Sequence, residues 1–206
     1  MMKCCQLDIP ILFVDGPAKR SGKSLPADQL YMDNTTEITR FVNDSLEMGF
    51  SKIGFVGDYD HCQSFFERYS AFYLAMLMAG KPVDKRFILK ENHREELEPA
   101  IAAMEELPEI FVCANDFVAT DLMQALAAAG KRVPEDVRLC GFDDSAESRL
   151  CNPALTTVHI HTQIIAFSAV HLLISRIRQP SLDYRTIHTE TNLIYRESTG
   201  NLGGAQ

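Results

Sequence analysis

The sequence predicts an α/β protein built on a doubly wound parallel sheet, and three observations support that prediction. Short apolar runs alternate with amphipathic segments of helical length along most of the chain. The apolar runs, such as residues 52–57 and 137–142, are too short for helices and contain Val, Ile, Leu or Phe. Glycine follows several helical segments, as at Gly49 and Gly130, and ends each helix before the next strand begins.

The individual elements can be placed in order along the chain. A buried strand at residues 11–14 and a polar loop at residues 19–24 precede a helix whose start is marked by the capping residues 33–37. Further helices are expected at residues 64–79, 94–107, 116–129 and 163–177. Further strands are expected at residues 52–57, 86–89, 109–114, 137–142, 157–160 and 186–195. This alternation places helices on both faces of the sheet.

The composition indicates a globular chain with a sizeable core. Of its 206 residues, 46% are hydrophobic and 23% are charged. The formal net charge is −8, from 20 Lys+Arg against 28 Asp+Glu, so no basic face is expected for nucleic acid. The apolar runs are too short to cross a bilayer, and residues 1–8 lack the features of a signal peptide. We therefore expect a cytoplasmic protein that does not contact a membrane.

The sequence predicts neither an enzyme nor a cofactor. The six cysteines include no C-x-x-C pair and are expected to be free thiols. His159 and His161 alternate along a strand and point the same way, but without a third nearby ligand no metal site is expected. The adjacent carboxylates of Asp143 and Asp144 make a poor acid–base pair, and no G-x-S-x-G, P-loop or G-x-G-x-x-G pattern occurs.

Polar residues follow directly after the predicted strands. They are Asp15, Asp58, Asn115, Asp116, Asp143 and Asp144. Arg68 lies one turn into the helix that follows the second of these strands. Because ligands of open parallel sheets bind at the carboxyl ends of the strands, we expect these groups to gather at one edge. Carboxylates, an amide and a guanidinium in that position suit the hydroxyl groups of a small polar ligand.

The order of several motifs resembles one known family. The most specific run combines G-x-x-V-P-x-D-V at residues 130–137, G-F-D-D at 141–144 and P-x-L-T-T-V at 153–158. Weaker matches are I-P-x-x-x-V-D at 9–15, D-N at 33–34, G-x-x-x-I at 49–53, S-x-x-x-R-x-x-x-F at 64–72, A-N-D at 114–116 and R-E-S-T at 196–199. Phe50 departs from the family pattern, which usually has His at that position. In this order they are similar to the effector-binding domain of LacI/GalR transcriptional regulators, which shares its fold with periplasmic sugar-binding proteins.

The resemblance implies roles for the charged residues. It places Arg68 in the effector cleft, where the guanidinium binds adjacent hydroxyls or a carboxylate, whereas the alternative is a surface arginine on a helix. It makes Asp143 an acceptor of hydrogen bonds from ligand hydroxyls and leaves Asp144 to cap the following turn. It also places a ligand contact at Asp15, which follows a strand of the less complete lobe.

The resemblance is less specific about the remaining site residues. Asn115 is a candidate ligand contact, and Asp116 is expected to cap the next helix. With no Trp in the chain, stacking on the ligand has to come from Phe, Tyr or His. Phe65 and His93 are the candidates, although Phe65 is also typical of a core residue and His93 lies in a loop.

Two lobes around the ligand are also implied. Residues 33–157 and 183–199 would form a nearly complete carboxyl-terminal lobe, residues 1–32 and 158–182 a partial amino-terminal lobe, and residues 200–206 a flexible tail. The family's helix-turn-helix head and hinge helix have no counterpart in this sequence, so we expect an amino-terminally truncated chain. A homodimer is expected, with DNA as a partner only through the missing head.

The leading hypothesis is therefore a ligand-sensing domain that controls transcription when a small sugar-like effector closes its two lobes. One alternative is a solute-binding protein of a sugar transport system, which the missing signal peptide disfavours. Another is a small α/β enzyme that uses the carboxylates, which a turnover assay would reveal. The architecture alone does not decide among them.

Overall fold

The computed structural model describes residues 9–15 and 25–203, whose strands form two sheets. In the smaller sheet the parallel strands β1 (Leu12–Val14), β2 (Asp28–Met32) and β8 (Thr186–Thr189) lie in the order β1-β2-β8. The other strands are β3 (Ile53–Val56), β4 (Ile88–Leu89), β5 (Ile110–Cys113), β6 (Arg138–Asp143), β7 (Thr156–Ile160) and β9 (Thr191–Ile194). They lie in the order β4-β3-β5-β6-β7-β9, and only the edge strand β9 is antiparallel.

Helices cover both faces of the larger sheet. Across the described ranges the α-helices are α1 (Thr36–Glu47), α2 (Gln63–Met78), α3 (Arg94–Ala102), α4 (Asp116–Ala128), α5 (Ala146–Leu150) and α6 (Thr162–Arg178). Helices α1 and α2 pack together, as do α3 and α4, while α6 packs on β2 and β1. The prediction of a doubly wound α/β fold is confirmed. In the part of the chain that the structure describes, no helix has the length and apolar character that crossing a bilayer requires.

Neighbouring strand residues contribute to two separate cores. Phe55 and Val112 pack in one buried cluster with side chains of α1 and α2. Val56 and Phe111 pack in a second cluster with side chains of α3 and α4. Because successive side chains of a strand point to opposite faces, apolar residues at every position are needed where both faces are covered. This explains the continuous apolar runs of the sequence.

The chain near residue 190 differs from the single strand expected at residues 186–195. Strand β8 pairs with β2, whereas β9 pairs with β7, so the chain changes sheets at Glu190. Thr186–Thr189 thus joins the smaller sheet, whereas the resemblance implied that residues 183–199 belong to the carboxyl-terminal lobe. Similarly, β7 continues in the larger sheet to Ile160, three residues beyond residue 157, where the resemblance implied that this part of the lobe ends. A strand pattern in sequence does not reveal which sheet the strand joins.

The end of the described chain is packed rather than loose. Residues 200–203, expected to begin a flexible tail, belong to the segment Glu197–Gly203, in which two short 3-10 turns are separated by a kink at Gly200. Leu202 is only 6% exposed and packs in the core beside α1 and α2. The Ser198 hydroxyl donates to the Leu139 carbonyl at 2.7 Å, which fastens this segment to β6. Residues 204–206 lie outside the described residues, as do the loop expected at residues 19–24 and Cys4 and Cys5.

Candidate functional site

Arg68, near the start of α2, is buried and held from several sides. Only 2% of the residue is exposed, so it is not a surface arginine. Its Nε donates to Oδ1 of Asn34 at 3.0 Å, and its Nη1 donates to the carbonyl of Ala114 at 2.6 Å. The guanidinium carbon lies 3.5 Å from the centroid of the Phe142 ring. Burial lowers the pKa of Arg68, an effect that Asp143 and Asp15 oppose.

Asn34 positions Arg68 and was not among the predicted site residues. Its Oδ1 accepts from Arg68, while its Nδ2 donates to Oε2 of Glu67 at 2.9 Å. Asp33 lies two residues before Thr35, the N-cap of α1, and its Oδ1 accepts from the backbone N–H groups of Thr35 and Thr36 at 2.8 and 3.1 Å. In the D-N motif, Asp33 therefore binds the first amides of α1, and Asn34 orients Arg68. That motif was the signal from which Asn34 could have been selected.

Asp143 ends β6, as predicted, and faces Arg68 without a close hydrogen bond. Its Oδ1 lies 3.7 Å from Nη2 of Arg68, and no donor among the described residues comes within hydrogen-bonding distance of the carboxylate. Its backbone has φ = 117°, a strained conformation for a residue with a side chain. Burial raises the pKa of Asp143 to about 6; Arg68 opposes the shift, and Asp116 and Asp15 add to it.

Asp15 directly follows β1 of the smaller sheet and is the second carboxylate near Arg68. Its backbone also has a positive φ, 47°, and its N–H donates to the carbonyl of Leu30 at 2.9 Å. Desolvation raises the pKa of Asp15; Arg68 opposes this effect and Glu67 reinforces it. The structure therefore brings together Asp15, Asn34, Arg68 and Asp143, which we call the Arg68 site. The site lies where the carboxyl ends of strands from both sheets meet.

Asn115, and not Asp116, caps helix α4. Asn115 is the N-cap of α4, and its Oδ1 accepts from the N–H of Val118 at 2.9 Å. Asp116 is fully buried; its Oδ1 accepts from the Thr157 hydroxyl at 2.6 Å and its Oδ2 from the Ser145 N–H at 2.7 Å. The expectation that Asp116 caps the helix is therefore wrong, because this residue is already helical and its side chain turns toward the sheet. The role of Asn115 as a ligand contact stays a prediction.

The two candidate stacking residues have different surroundings. Phe65 is half-buried against the core, with its ring centroid 5.9 Å from the guanidinium carbon of Arg68. His93 is exposed at the start of α3, in the loop after β4. That loop is joined to the loop after β3, because the N–H of Asp58 donates to Oδ1 of Asn92 at 2.9 Å. Phe65 is thus near the Arg68 site, whereas no contact among the described residues joins His93 to Arg68.

Asp144 points away from Asp143 and forms a separate ionic cluster. Its carboxylate accepts from Arg149 at 2.7 Å, from Arg196 at 2.5 Å and contacts Nδ1 of His159 at 2.8 Å. It does not cap the following turn, because Ser145 occupies the N-cap of α5. Burial alone would raise the pKa of Asp144, but the hydrogen bonds from Arg149, Arg196 and His159 outweigh it and lower the value to about 2.

We expect Asp144→Asn to lower the free energy of unfolding by about 2–3 kcal/mol at pH 7, because two arginines lose a buried carboxylate partner. A lowered pKa contributes stability that is present above the ordinary value of 3.8 and is lost as the pH falls toward 2. Urea unfolding of the variant and the parent at pH 7 and pH 3 measures this difference. An equal loss at both pH values would contradict the ionic origin of the effect.

The histidines of β7 do not form a metal site with other residues that the structure describes. The rings of His159 and His161 lie on the same side of the strand, with their centroids 4.9 Å apart. His159 contacts Asp144, and His161 contacts Oδ1 of Asn192 at 2.5 Å. The described ranges contain no group of three His, Cys, Asp or Glu residues suited to a metal ion.

Asp143→Asn is expected to raise the free energy of unfolding by roughly 1–2 kcal/mol at pH 7–8. Because the pKa of Asp143 is about 6 in the folded chain and 3.8 ordinarily, ionisation of Asp143 opposes folding. This penalty develops as the pH rises from 4 to 6 and is complete above that range. Urea unfolding at pH 4 and pH 7.5 should show a gain in the variant only at the higher pH. A variant no more stable than the parent at pH 7.5 would contradict the assigned shift.

Comparison with known proteins agrees with the geometry. The sequence pattern of periplasmic binding protein-like domains matches residues 42–199. A curated relative, the HTH-type transcriptional repressor PurR of Actinobacillus pleuropneumoniae serotype 3 (strain JL03), is 29% identical over 203 residues, which cover 95% of this chain and 59% of that protein. The chain therefore spans 59% of the length of this relative.

Solved structures of LacI-type regulators share the fold. A LacI-type transcription regulator from Bifidobacterium animalis subsp. lactis DSM 10140 is 24% identical, with a TM-score of 0.78 over 96% of this chain and 74% of its own. A LacI family transcriptional regulator from Enterococcus faecalis V583, solved with bound ribose, is 22% identical, with a TM-score of 0.77 over 92% of this chain and 68% of its own. The chain belongs to the family of periplasmic binding protein-like domains.

Proposed function

We propose that the chain binds a small, hydroxyl-rich effector at the Arg68 site and acts as the sensing part of a transcriptional regulator. This proposal rests on the raised pKa values of Asp143 and Asp15 and on the hydrogen bonds that their carboxylates lack. Both carboxylates are desolvated enough for their pKa values to rise, yet neither accepts a hydrogen bond from a side chain among the described residues. The Asp143 side chain is 30% exposed and Asp15 is exposed, so both carboxylates are accessible to a ligand whose hydroxyl groups would donate to them.

Arg68 supports the same ligand class. Its guanidinium is already bonded to Asn34 and Ala114 and stacked on Phe142, so it positions the site more than it offers free donors. The two carboxylates repel an anion, and the guanidinium of Arg68 already donates to groups of the protein. The site therefore favours a neutral polyol over an anion. A sugar fits this description, and the regulator from Enterococcus faecalis V583 provides a case with bound ribose.

The position of the site explains how binding would reach the rest of a regulator. Asp15 belongs to the smaller sheet, whereas Asp143 and Ala114 belong to the larger one. A ligand that bonds both sheets stabilises a closed arrangement by its differential affinity for that arrangement. We propose that the full-length protein is a cytoplasmic homodimer that transmits this closure to a DNA-binding head. The curated relatives are transcriptional repressors and not enzymes, which favours a regulator over the enzyme alternative.

The proposal is tested by thermal unfolding of the chain against a panel of neutral sugars, nucleosides and sugar phosphates. A ligand that binds only the folded chain raises the melting temperature with its concentration. We expect at least one neutral sugar to do so and the sugar phosphates to have no effect. A cooperative transition that no member of the panel shifts would contradict the proposal, as would a shift by sugar phosphates alone.

A further inference from the structure

The outward face of α6 carries large apolar side chains that the described residues leave uncovered. Their exposure ranges from 40% for Ile174 to 63% for Phe167. We call this set the α6 face, and its members are Ile164, Phe167, Val170, Ile174 and Ile177. The opposite face of the helix, which includes the buried Leu172 and Arg176, packs on β1 and β2. A contiguous exposed apolar surface is typical of a binding site, whereas scattered single apolar residues are not.

The exposed residues of α6 recur at a spacing of seven. Three rows run side by side along the helix: Phe167 with Ile174, Val170 with Ile177, and Ile164 with His171 and Arg178. A seven-residue apolar repeat keeps one seam of a helix against a helical partner, as in coiled coils. At 1.5 Å per residue the third row is about 21 Å long, or about four turns. The α6 face therefore fits another helix of that length.

The third row makes one margin of the α6 face basic. Arg176 is buried and paired with Asp28, whereas Arg178 is exposed and forms no ion pair with a described residue. The ring of His171 lies beside that of Phe167, with the two centroids 4.2 Å apart. A surface groove of about 270 Å³ lies at this margin, lined by His171, Ile174, Ser175, Arg178 and Gln179. The groove therefore offers apolar and cationic groups side by side.

Acidic residues are missing from this part of the sequence. The chain has 28 Asp and Glu among 206 residues, yet residues 148–182 contain none. Acidic residues elsewhere give the chain its net charge of −8, but at physiological salt exposed charges further away than about 8 Å are largely screened. A molecule bound to the α6 face therefore meets mainly the charges of the margin, and these favour carboxylates.

We propose that the α6 face binds an acidic amphipathic helix of another polypeptide. The apolar side chains of that helix pack on the row of Phe167 and Ile174, and its carboxylates lie along the margin of His171 and Arg178. One helix face is small compared with the roughly 800 Å² that each partner contributes to a standard interface. We therefore expect a dissociation constant on the order of 10–100 µM. The α6 face includes no residue of the Arg68 site, so this interaction does not depend on the proposed effector.

Fluorescence anisotropy with a labelled synthetic peptide tests this proposal. The probe is a helical peptide of about 18 residues, with Leu at a seven-residue spacing and Glu at the flanking positions. A second peptide has Lys in place of each Glu. The test variant is Phe167→Gln with Ile174→Gln, which removes the apolar central row but keeps good helix formers. The matched control is Phe117→Gln with Leu150→Gln, which changes two exposed apolar residues on α4 and α5.

The parent and the control should bind the acidic peptide, and the test variant should bind it at least about tenfold more weakly. Circular dichroism verifies that the variants are folded. A test variant that binds the acidic peptide as tightly as the parent would overturn the proposal, as would a control that loses binding to the same extent.

The charge of the margin has its own readout. His171→Glu with Arg178→Glu should reverse the preference of the chain, so that the basic peptide binds more tightly than the acidic one. A parent that binds both peptides equally, or neither, would contradict the proposal. An unchanged preference in the charge variant would exclude the margin as the group that recognises carboxylates.

Other occupants of the α6 face give different results. If a second copy of this chain covered the face, sedimentation equilibrium would show a dimer of the parent and a monomer of the test variant. If the face bound anionic membranes, vesicles of phosphatidylserine and phosphatidylcholine would co-sediment with the parent and not with the test variant. Either result would replace the acidic helix as the occupant and overturn the proposal.

Discussion

Arg68→Ala is expected to lower the free energy of unfolding by about 3–5 kcal/mol and to abolish any ligand-induced rise in melting temperature. The substitution leaves Asn34 and the Ala114 carbonyl without their buried donor and removes the cation from the Phe142 ring. It also removes the positive charge that opposes the raised pKa of Asp143. Urea unfolding measures the loss of stability, and thermal unfolding with ligand measures the loss of binding.

The matched control for this variant is Arg40→Ala. Arg40 lies on α1 and is half-exposed, and its ionic partners among the described residues are Glu37 and Asp44 of the same helix. Its loss should change the free energy of unfolding by no more than about 0.5 kcal/mol. If Arg68→Ala destabilised the chain no more than Arg40→Ala does, the central place assigned to the buried guanidinium would be wrong.

Asp28→Ala is also expected to cost about 3–5 kcal/mol, although it lies away from the Arg68 site. Asp28 is fully buried and accepts from Nε and Nη2 of Arg176 at 2.9 and 3.0 Å and from the N–H of Arg185 at 2.8 Å. Burial would raise the pKa of Asp28, but these hydrogen bonds outweigh it and lower the value. Without the carboxylate, the buried guanidinium of Arg176 keeps its hydrogen bonds to backbone carbonyls but loses its anionic partner where α6 meets β2.

The loss of stability in Asp28→Ala should be greatest in the smaller sheet. Hydrogen exchange at the amides of β2 and β8 should accelerate in Asp28→Ala more than exchange in β5 or β6 does. Glu98→Ala is the control, because Glu98 forms a similarly short ion pair with Arg94, at 2.6 Å, on the surface of α3. Surface pairs contribute little, so this change should stay within about 0.5 kcal/mol. Equal effects of the two variants would contradict the importance of burial.

Most helices and central strands could be predicted from the sequence because apolar spacing determines them locally. Strand β2 was not predicted, since it begins with two polar residues, Asp28 and Gln29. Their burial depends on partners that a local pattern does not show: Arg176 lies 148 positions away from Asp28, and Gln29 accepts from the Tyr31 hydroxyl. Helix α3 ends at Ala102 instead of residue 107. Pro108 restricts only the residue directly before it and does not account for this earlier end.

The candidate site was predictable only where a motif fixes a position relative to a strand end. Arg68 and Asp143 lie 3.7 Å apart because the parallel strands β3 and β6 end at the same edge of the larger sheet. Asp15 approaches them from the smaller sheet, and a strand pattern in the sequence does not reveal that placement. The division of roles between neighbours was not predictable in the same way. Whether Asn115 or Asp116 caps α4 depends on which of them is the last residue with an extended backbone before the helix begins. The sequence pattern does not locate the start of a helix to within one residue.

The measurement that tests the proposed site most directly is calorimetric titration of Asp143→Asn with the sugar that most stabilises the parent. This variant should be at least as stable as the parent at pH 7.5, so a loss of binding cannot be attributed to unfolding. We expect its affinity to fall at least about tenfold, equivalent to about 1.4 kcal/mol, because a ligand hydroxyl loses its charged acceptor. A folded Asp143→Asn variant that binds the sugar as tightly as the parent would show that the effector does not bind at the Arg68 site.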